Sequence, residues 1–227
     1  MKEYLIKPVA VIKNGYNEKF GVPRQSGLAE NIKSEIVFEH DFRDENLIRD
    51  IEQYSHLWLI WGFSRNEGEW SPTVRPPKLG GNKRVGVFAT RSPFRPNSLG
   101  LTVVKLEEVR STAKGKVLVV SGADLVNDTP IFDIKPYLPY VDAIPNAVGG
   151  FADEHSNEIL KVSAFGEVEA VVSKEMLSEI TSILALDPKP SYQMDTERIY
   201  KMSYKNFNIE FKYLSEKEIV IIGVKGE

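Results

Sequence analysis

The chain has 227 residues, 42% hydrophobic and 27% charged, with a formal net charge of −3 and no cysteine. That length holds one large domain or a main domain with an appendage, and the missing thiols exclude a disulfide framework, a cysteine nucleophile, iron–sulfur clusters and thiolate zinc. The acidic balance argues against a uniformly basic nucleic-acid coat, and no apolar run approaches the roughly 18–20 residues needed to cross a bilayer.

Tyr4 to Ile12 reads as a strand, with Pro8 marking an edge or a bulge. Glu35 to His40 reads as a second strand. Asp44 to Gln53 is expected as a short helix, with Leu47, Ile48 and Ile51 on one face and Asp44 near its start. His56 to Phe63 is a continuous apolar run of central-strand type. Arg84–Thr90, Leu101–Arg110, Lys116–Ser121 and Pro130–Lys135 complete a set of closely spaced strands. Helices of crossover length are missing there, so the pattern favours an antiparallel sheet or closed barrel over a doubly wound fold. Pro136 to about His155 reads as a linker. Beyond it, Ser163–Val172 is strand-like and Ser173–Leu186 has helical spacing with Ser173 as N-cap. Tyr200–Tyr204, Phe207–Leu214 and Glu218–Lys225 follow as strands. The expectation is a mainly β protein, with a β domain over 1–143 and a small α+β domain over 144–227. The N-terminus has no signal-peptide core, so the cytoplasm is the expected compartment.

No Gly-x-Gly-x-x-Gly turn, Walker loop or nucleophile elbow is present. His40, His56 and His155 are scattered, so no metal is expected. Three segments are denser in special residues than a structural role requires. In Phe20-Gly-Val-Pro-Arg-Gln25, glycine and proline shape a loop, while Arg24 and Gln25 present a bidentate cation and an amide. That loop is either a recognition element or a surface turn whose arginine pairs with a carboxylate. In Gly86 to Gly100, Pro93 and Pro96 stiffen the backbone that carries Arg91 and Arg95. This pair suits phosphate or carboxylate, or else braces the loop from within. In Asp124 to Tyr137, alternation puts Asp133 and Lys135 on one face, as a structural ion pair or as site lining. Tyr137 and Tyr140 offer flat faces for a base. Between Glu69 and Glu107 there is no acidic residue, while Arg75, Arg84, Arg91 and Arg95 lie there, a local phosphate-binding face on an acidic chain.

In this order, Pro23-Arg-Gln25, Gly86-Val-Phe-Ala-Thr-Arg-Ser-Pro-Phe-Arg-Pro-Asn97 and Asp133-Ile-Lys-Pro-Tyr137 resemble the TsaA-like family over about Tyr4 to Asp142. The segment Asp187-Pro-Lys-Pro-Ser-Tyr192 is similar to that family's second domain. The resemblance implies an antiparallel β-barrel methyltransferase, a homodimer, with S-adenosyl-L-methionine as donor. It implies as substrate the threonylcarbamoyl-modified adenosine 3′ of the anticodon, so the tRNA anticodon stem-loop is the implied partner. It also implies donor contacts from Pro23, Arg24, Gln25, Ser64, Arg65, Arg91, Leu101 and the loop residues Asp124, Leu125, Asn127, Asp128, Thr129 and Pro130. Asn127-Asp-Thr-Pro130 stands where the family commonly has Asp-Gly-Thr-Pro, and both Asn and Asp tolerate a left-handed backbone. Ser98-Leu99 stands for a frequent Pro-Ile, and Ser64-Arg65 where a histidine is often found.

Methyl transfer needs alignment and a dry site, and an N6 conjugated into a urea-like group needs a base. Asp133 is the expected base. Arg91 or Arg95 is expected on the threonyl carboxylate or a phosphate. The competing readings are a methyltransferase for another RNA or a small molecule, and a non-catalytic nucleotide- or tRNA-binding module. In the C-terminal domain, Lys189, Arg198, Lys201 and Lys205 are either a tRNA-docking face or solvated charges.

Overall fold

The computed structural model describes residues 2–66, 68–155, 159–189 and 195–226. Its first sheet is built from β1 (Ala10–Lys13), β2 (Lys33–Phe38), β3 (His56–Gly62), β6 (Leu99–Thr112), β7 (Gly115–Ser121) and β8 (Pro130–Pro136), with β4 (Thr73–Val74) and β5 (Val85–Gly86) forming a separate two-stranded ribbon. The six strands pair in the order β1-β2-β7-β6-β3-β8, and β8 returns to pair with β1, closing the ring. Every pairing in the ring is antiparallel.

Period-two alternation decides which side chains go inside. Leu57, Leu59 and Trp61 of β3 meet Ile36, Val104, Leu118 and Ile131 in one core. The Trp61 indole could not be buried there without a partner. It donates to the Thr102 hydroxyl at 2.9 Å. Gly100 sits opposite Trp61 in the β3–β6 register, and a Cβ on Gly100 would lie 2.3 Å from the indole. Gly100→Ala is therefore expected to lower unfolding stability by about 1–3 kcal/mol through overpacking, read from urea melts.

In the first unit three expected elements come out differently. The strand expected from Tyr4 begins only at Ala10, after the proline that lacks an N–H. The helix expected over 44–53 is two 3-10 turns, Glu45–Ile48 and Ile51–Gln53. Asp50 between them has φ 64, which no continuous right-handed helix accommodates. Ile48 and Ile51 still pack against the core while Leu47 is 61% exposed, so the apolar spacing marked two of three inward residues and got the helix wrong. The strand expected over 84–90 is only Val85–Gly86, followed by the 3-10 turn Val87–Ala89.

A short helix α1 (Pro139–Asp142) ends the first unit, with Asp142 accepting from the Trp58 indole N–H at 3.1 Å, and the second unit contains β9 (Lys161–Ala164), α2 (Gly166–Val171), α3 (Lys174–Ala185), β10 (Tyr200–Tyr204), β11 (Phe207–Ser215) and β12 (Glu218–Gly226). Its sheet runs β10-β11-β12-β9, with β9 parallel to β12. The Ser173 hydroxyl accepts from the Met176 N–H at 3.1 Å and starts α3 as expected. The strand expected over 163–172 stops at Ala164, and α2 follows, with Glu167 and Glu169 in its first turn where the helix dipole favours them. Pro190 to Tyr192 of the family-like segment lie outside the described residues.

The loop between β1 and β2 follows a strand of the first sheet but buries its apolar side chains in the second core. Tyr16, Ala29 and Ile32 are buried there with Phe211 and Tyr213, and Phe20 stacks on Phe211 at 6.3 Å. Gly21 is required at its position: φ is +90°, and a Cβ would lie 2.3 Å from the Met202 sulfur. No helix among the described residues is long and apolar enough to cross a membrane.

Candidate functional site

Between β3 and β6 the chain leaves the sheet for a long excursion whose backbone is pinned at several points. The Val87 N–H donates to the Pro72 carbonyl at 3.0 Å, and the Ser98 N–H to the Arg95 carbonyl at 3.1 Å. Arg95 turns inward and donates to the Thr90 carbonyl at 3.1 Å, so one member of the expected arginine pair braces the loop. The excursion forms most of the wall of a cavity of about 1320 Å³, the far side of which is Gly149, Phe151 and Ala152. Arg24, Gln25 and Leu28 complete it.

Arg91 lines this cavity, its Nη1 2.5 Å from the Gln25 amide oxygen. Below it lies Asp124, which accepts from the Thr102 hydroxyl at 2.7 Å. Thr102 in turn accepts the Trp61 indole N–H. Burial raises the Asp124 carboxyl above its ordinary value, opposed by the Thr102 hydrogen bond and by the Arg91 charge. A chain of polar contacts thus runs from the interior of the closed sheet, Trp61 to Thr102 to Asp124, toward a guanidinium at the cavity wall. Thr102 and Trp61 escaped the sequence reading because their side chains look like ordinary strand residues. Their signal is a polar side chain at an inward strand position.

The other expected donor residues fall into separate groups. Pro23 is buried, and Arg24 donates through Nη2 to the carbonyls of Asp187 at 3.1 Å and Lys189 at 2.7 Å. Arg65 donates to the Asn17 carbonyl at 2.5 Å and the Asn127 carbonyl at 3.2 Å. Asn14 binds the Leu125 carbonyl at 2.9 Å. Leu125 is buried, Thr129 bonds back to the Val126 carbonyl at 2.7 Å, and Asp128 pairs with Lys13. Leu125 to Pro130 is therefore a tied loop, and Asp128 adopts φ 66 where the family commonly places glycine. Ser64 is exposed at the start of the excursion.

Leu101 and Asp133 are not brought to the cavity. Both lie beside Ile60 on the outer face of the sheet, and the Asp133 carboxylate is 2.8 Å from Lys135. The ion-pair reading of that motif is the one the geometry favours. Glu69 is the carboxylate among the described residues lining the cavity, and sequence reasoning used it only as the edge of an acid-free stretch. In the second unit Lys189 is 6% exposed and pairs with Asp187 at 3.2 Å, so it is no surface docking residue. Lys201 and Lys205 pair with Glu210 and Glu179 at 2.9 and 2.6 Å, and Arg198 lies over the Tyr200 ring at 4.9 Å.

A closed antiparallel sheet without a glycine-rich βα turn, carrying an arginine-walled cavity against an α+β unit, stands apart from the doubly wound nucleotide-binding proteins. Residues 11–143 match the family model for the tRNA-methyltransferase O N-terminal domain, and residues 160–227 match that for the TrmO C-terminal domain. The chain belongs to the TrmO family. It is 38% identical over 221 residues to the tRNA (adenine(37)-N6)-methyltransferase of Escherichia coli K12, covering 93% of this chain and 94% of that one. It is 35% identical to a putative S-adenosylmethionine-dependent methyltransferase of Pseudomonas aeruginosa, covering 97% of each. The crystal structure of TrmO from P. aeruginosa superposes with a TM-score of 0.83 at 29% identity, covering 100% of this chain and 99% of that one.

Proposed function

We propose that this chain is an S-adenosylmethionine-dependent methyltransferase acting on N6 of adenosine 37 of tRNA when that base carries its threonylcarbamoyl group. The observation that carries the reading is end-to-end similarity to the E. coli enzyme, joined to a cavity lined by Gln25 and Arg91, with the buried Asp124 carboxyl feeling the Arg91 charge. Its volume of about 1320 Å³ exceeds the roughly 300–1,000 Å³ of ordinary small-molecule pockets, which suits a donor and a nucleoside side by side. The lining fits the donor chemically: Leu28 and Pro93 are apolar faces for an adenosyl group, and Arg91 is a cation for a methionyl carboxylate.

S-adenosylmethionine supplies a methyl group on a positively charged sulfur. The chain's own residues then have three tasks. Gln25 and Arg91 orient the donor's polar end, with the Asp124 carboxyl favouring the nearby guanidinium charge. The pinned excursion excludes water and keeps the approach aligned without an entropic cost at each turnover. Glu69 is the lining carboxylate available to receive the N6 proton.

Nucleoside mass spectrometry on tRNA with and without the threonylcarbamoyl group tests this. The expected result is methylation of the modified tRNA alone, and product on neither tRNA, with no saturable donor binding by calorimetry, would overturn it.

The closed six-strand ring supports assignment to the β-barrel methyltransferases, with domains at 1–143 and 144–227 and the β1–β2 loop packed into the core of the second. We take the assembly to be a homodimer, supported by exposed Leu101, Tyr140 and Val141 on or near the outer face; a monomer by sedimentation equilibrium would refute it. The cytoplasm is the proposed compartment.

A further inference from the structure

Phe88 is the most exposed aromatic side chain in the cavity wall, 79% open to solvent, although its backbone is among the better-held parts of the excursion. Val87 beside it is buried at 3%. The Val87 carbonyl accepts from both the Thr90 N–H at 3.1 Å and the Thr90 hydroxyl at 2.8 Å. A short turn with one residue anchored and the next displayed holds a flat apolar ring in water, where it gives up the stabilisation that burial would bring. Phe94, 40% exposed, lines the same cavity.

Around these rings the charge is one-sided. Arg75, Arg84 and Arg91 line the cavity with Glu69 as the opposing carboxylate, and no acidic residue occurs from 70 to 106. Arg84 also fixes the ribbon, donating to the Thr73 hydroxyl at 2.8 Å and the Thr73 carbonyl at 3.2 Å, and Arg75 is a second exposed cation of the lining. Flat apolar faces alternating with guanidinium groups on a stiff backbone match the chemistry of single-stranded RNA, whose unpaired bases stack while its phosphates pair. A protein partner of matching shape would need acidic side chains and would gain nothing from ring planarity.

We propose that Phe88, with Phe94 beside it and Arg75 at the rim, is a stacking platform for unpaired anticodon-loop nucleotides flanking the target adenosine. This rests on the tRNA reading above and assigns to one wall of the same cavity the task of splaying the loop. Stacking on Phe88 holds a neighbouring base out of the loop stack, so the target base reaches the donor without the enzyme reading a long sequence. Arg75 neutralises the phosphate between the two, a contact that adds to the salt dependence of binding.

The test uses the full-length protein and a threonylcarbamoyl-modified anticodon stem-loop RNA, with Phe88→Ala, Phe88→Leu and Phe88→Trp. Phe88→Ala is expected to weaken RNA binding by about tenfold or more, measured by fluorescence anisotropy, while donor affinity by calorimetry stays at the wild-type level. Phe88→Trp restores RNA affinity, and Phe88→Leu, apolar but not flat, behaves like alanine. Because the ring is exposed, all three variants keep the wild-type melting temperature. Full affinity in Phe88→Leu would make the contact plain apolar docking and overturn the proposal. So would unchanged RNA affinity in Phe88→Ala together with a changed sedimentation coefficient, the signature of a second copy covering the ring. If wild-type protein methylates the RNA and Phe88→Ala does so unimpaired, the platform alone falls. If wild-type protein binds neither donor nor RNA, the parent reading falls with it.

Discussion

Arg91→Ala is expected to reduce methyl transfer to modified tRNA by at least about 100-fold, the scale at which a displaced reactant loses its near-attack geometry. Arg91 makes two relevant contacts, a hydrogen bond to Gln25 and a charge interaction with Asp124. Removing the guanidinium frees the Gln25 side chain and leaves a buried carboxylate without its nearby cation. Arg91→Lys is expected to recover only part of the activity, because an ammonium is a point charge that lacks the guanidinium's planar fork. Asp124→Asn separates positioning from folding. Burial raises the Asp124 carboxyl above its ordinary 3.8, so the folded state holds that proton more tightly than the unfolded chain does. The cost to stability is therefore full above the raised value and is relieved as pH falls through it. Asp124→Asn removes that cost: its Tm at pH 7 is at least that of wild type, and its gain on mild acidification is smaller. Donor affinity nevertheless falls, because Arg91 loses the negative charge beneath it. An Arg91→Ala enzyme with wild-type turnover, or an Asp124→Asn protein that melts earlier at pH 7, would contradict this account.

Particular residues show why some of this was legible in sequence and some was not. The strands of the first sheet were visible because apolar runs of strand length, such as His56 to Phe63, recur at close spacing without helices of crossover length between them. α3 was visible down to its cap, because Ser173 and the spacing of Ile180 and Leu184 report two independent features of one helix. The 44–53 segment misled because apolar spacing records which side chains are buried, and a pair of 3-10 turns with Asp50 between them buries the same two isoleucines. Arg91 and Gln25 could be named because the proline-braced loop is itself local. Their junction with Asp124 spans three distant segments, and no periodicity encodes it. Asp133 and Lys135 were correctly put on one face, but a strand has two faces and local sequence does not say which one meets a cavity. The burial of Lys189 was illegible for the same reason: a lysine in a proline-rich loop reads as solvated until Tyr213 and Asp187 are seen around it.

That lysine carries the last expected result. Lys189→Met should lower unfolding stability by about 3 kcal/mol, the low end for breaking a buried ion pair because the Asp187 carboxylate still reaches solvent. The Lys189 ammonium sits 3.2 Å from Asp187 and 4.7 Å from the centre of the Tyr213 ring, and the Tyr213 hydroxyl donates to the same carboxylate at 2.8 Å. Methionine keeps the stem's packing but leaves Asp187 with Tyr213 alone. The consequence reaches the cavity, because the carbonyls of Asp187 and Lys189 are the acceptors for Arg24, and Gln25 follows Arg24 directly. Donor affinity should therefore weaken in Lys189→Met even though Lys189 is not among the residues lining the cavity. Lys201→Met is the contrast: its pair with Glu210 lies on the exposed face of β10 and β11, 72% open on the lysine side, so its loss should cost less than about 1 kcal/mol. Urea melts and calorimetric titration of the donor on both variants measure the two effects. Loss of stability without loss of donor affinity would mean that the second unit folds beside the donor loop without holding it, and equal behaviour of the two lysines would mean that Lys189 is solvated after all.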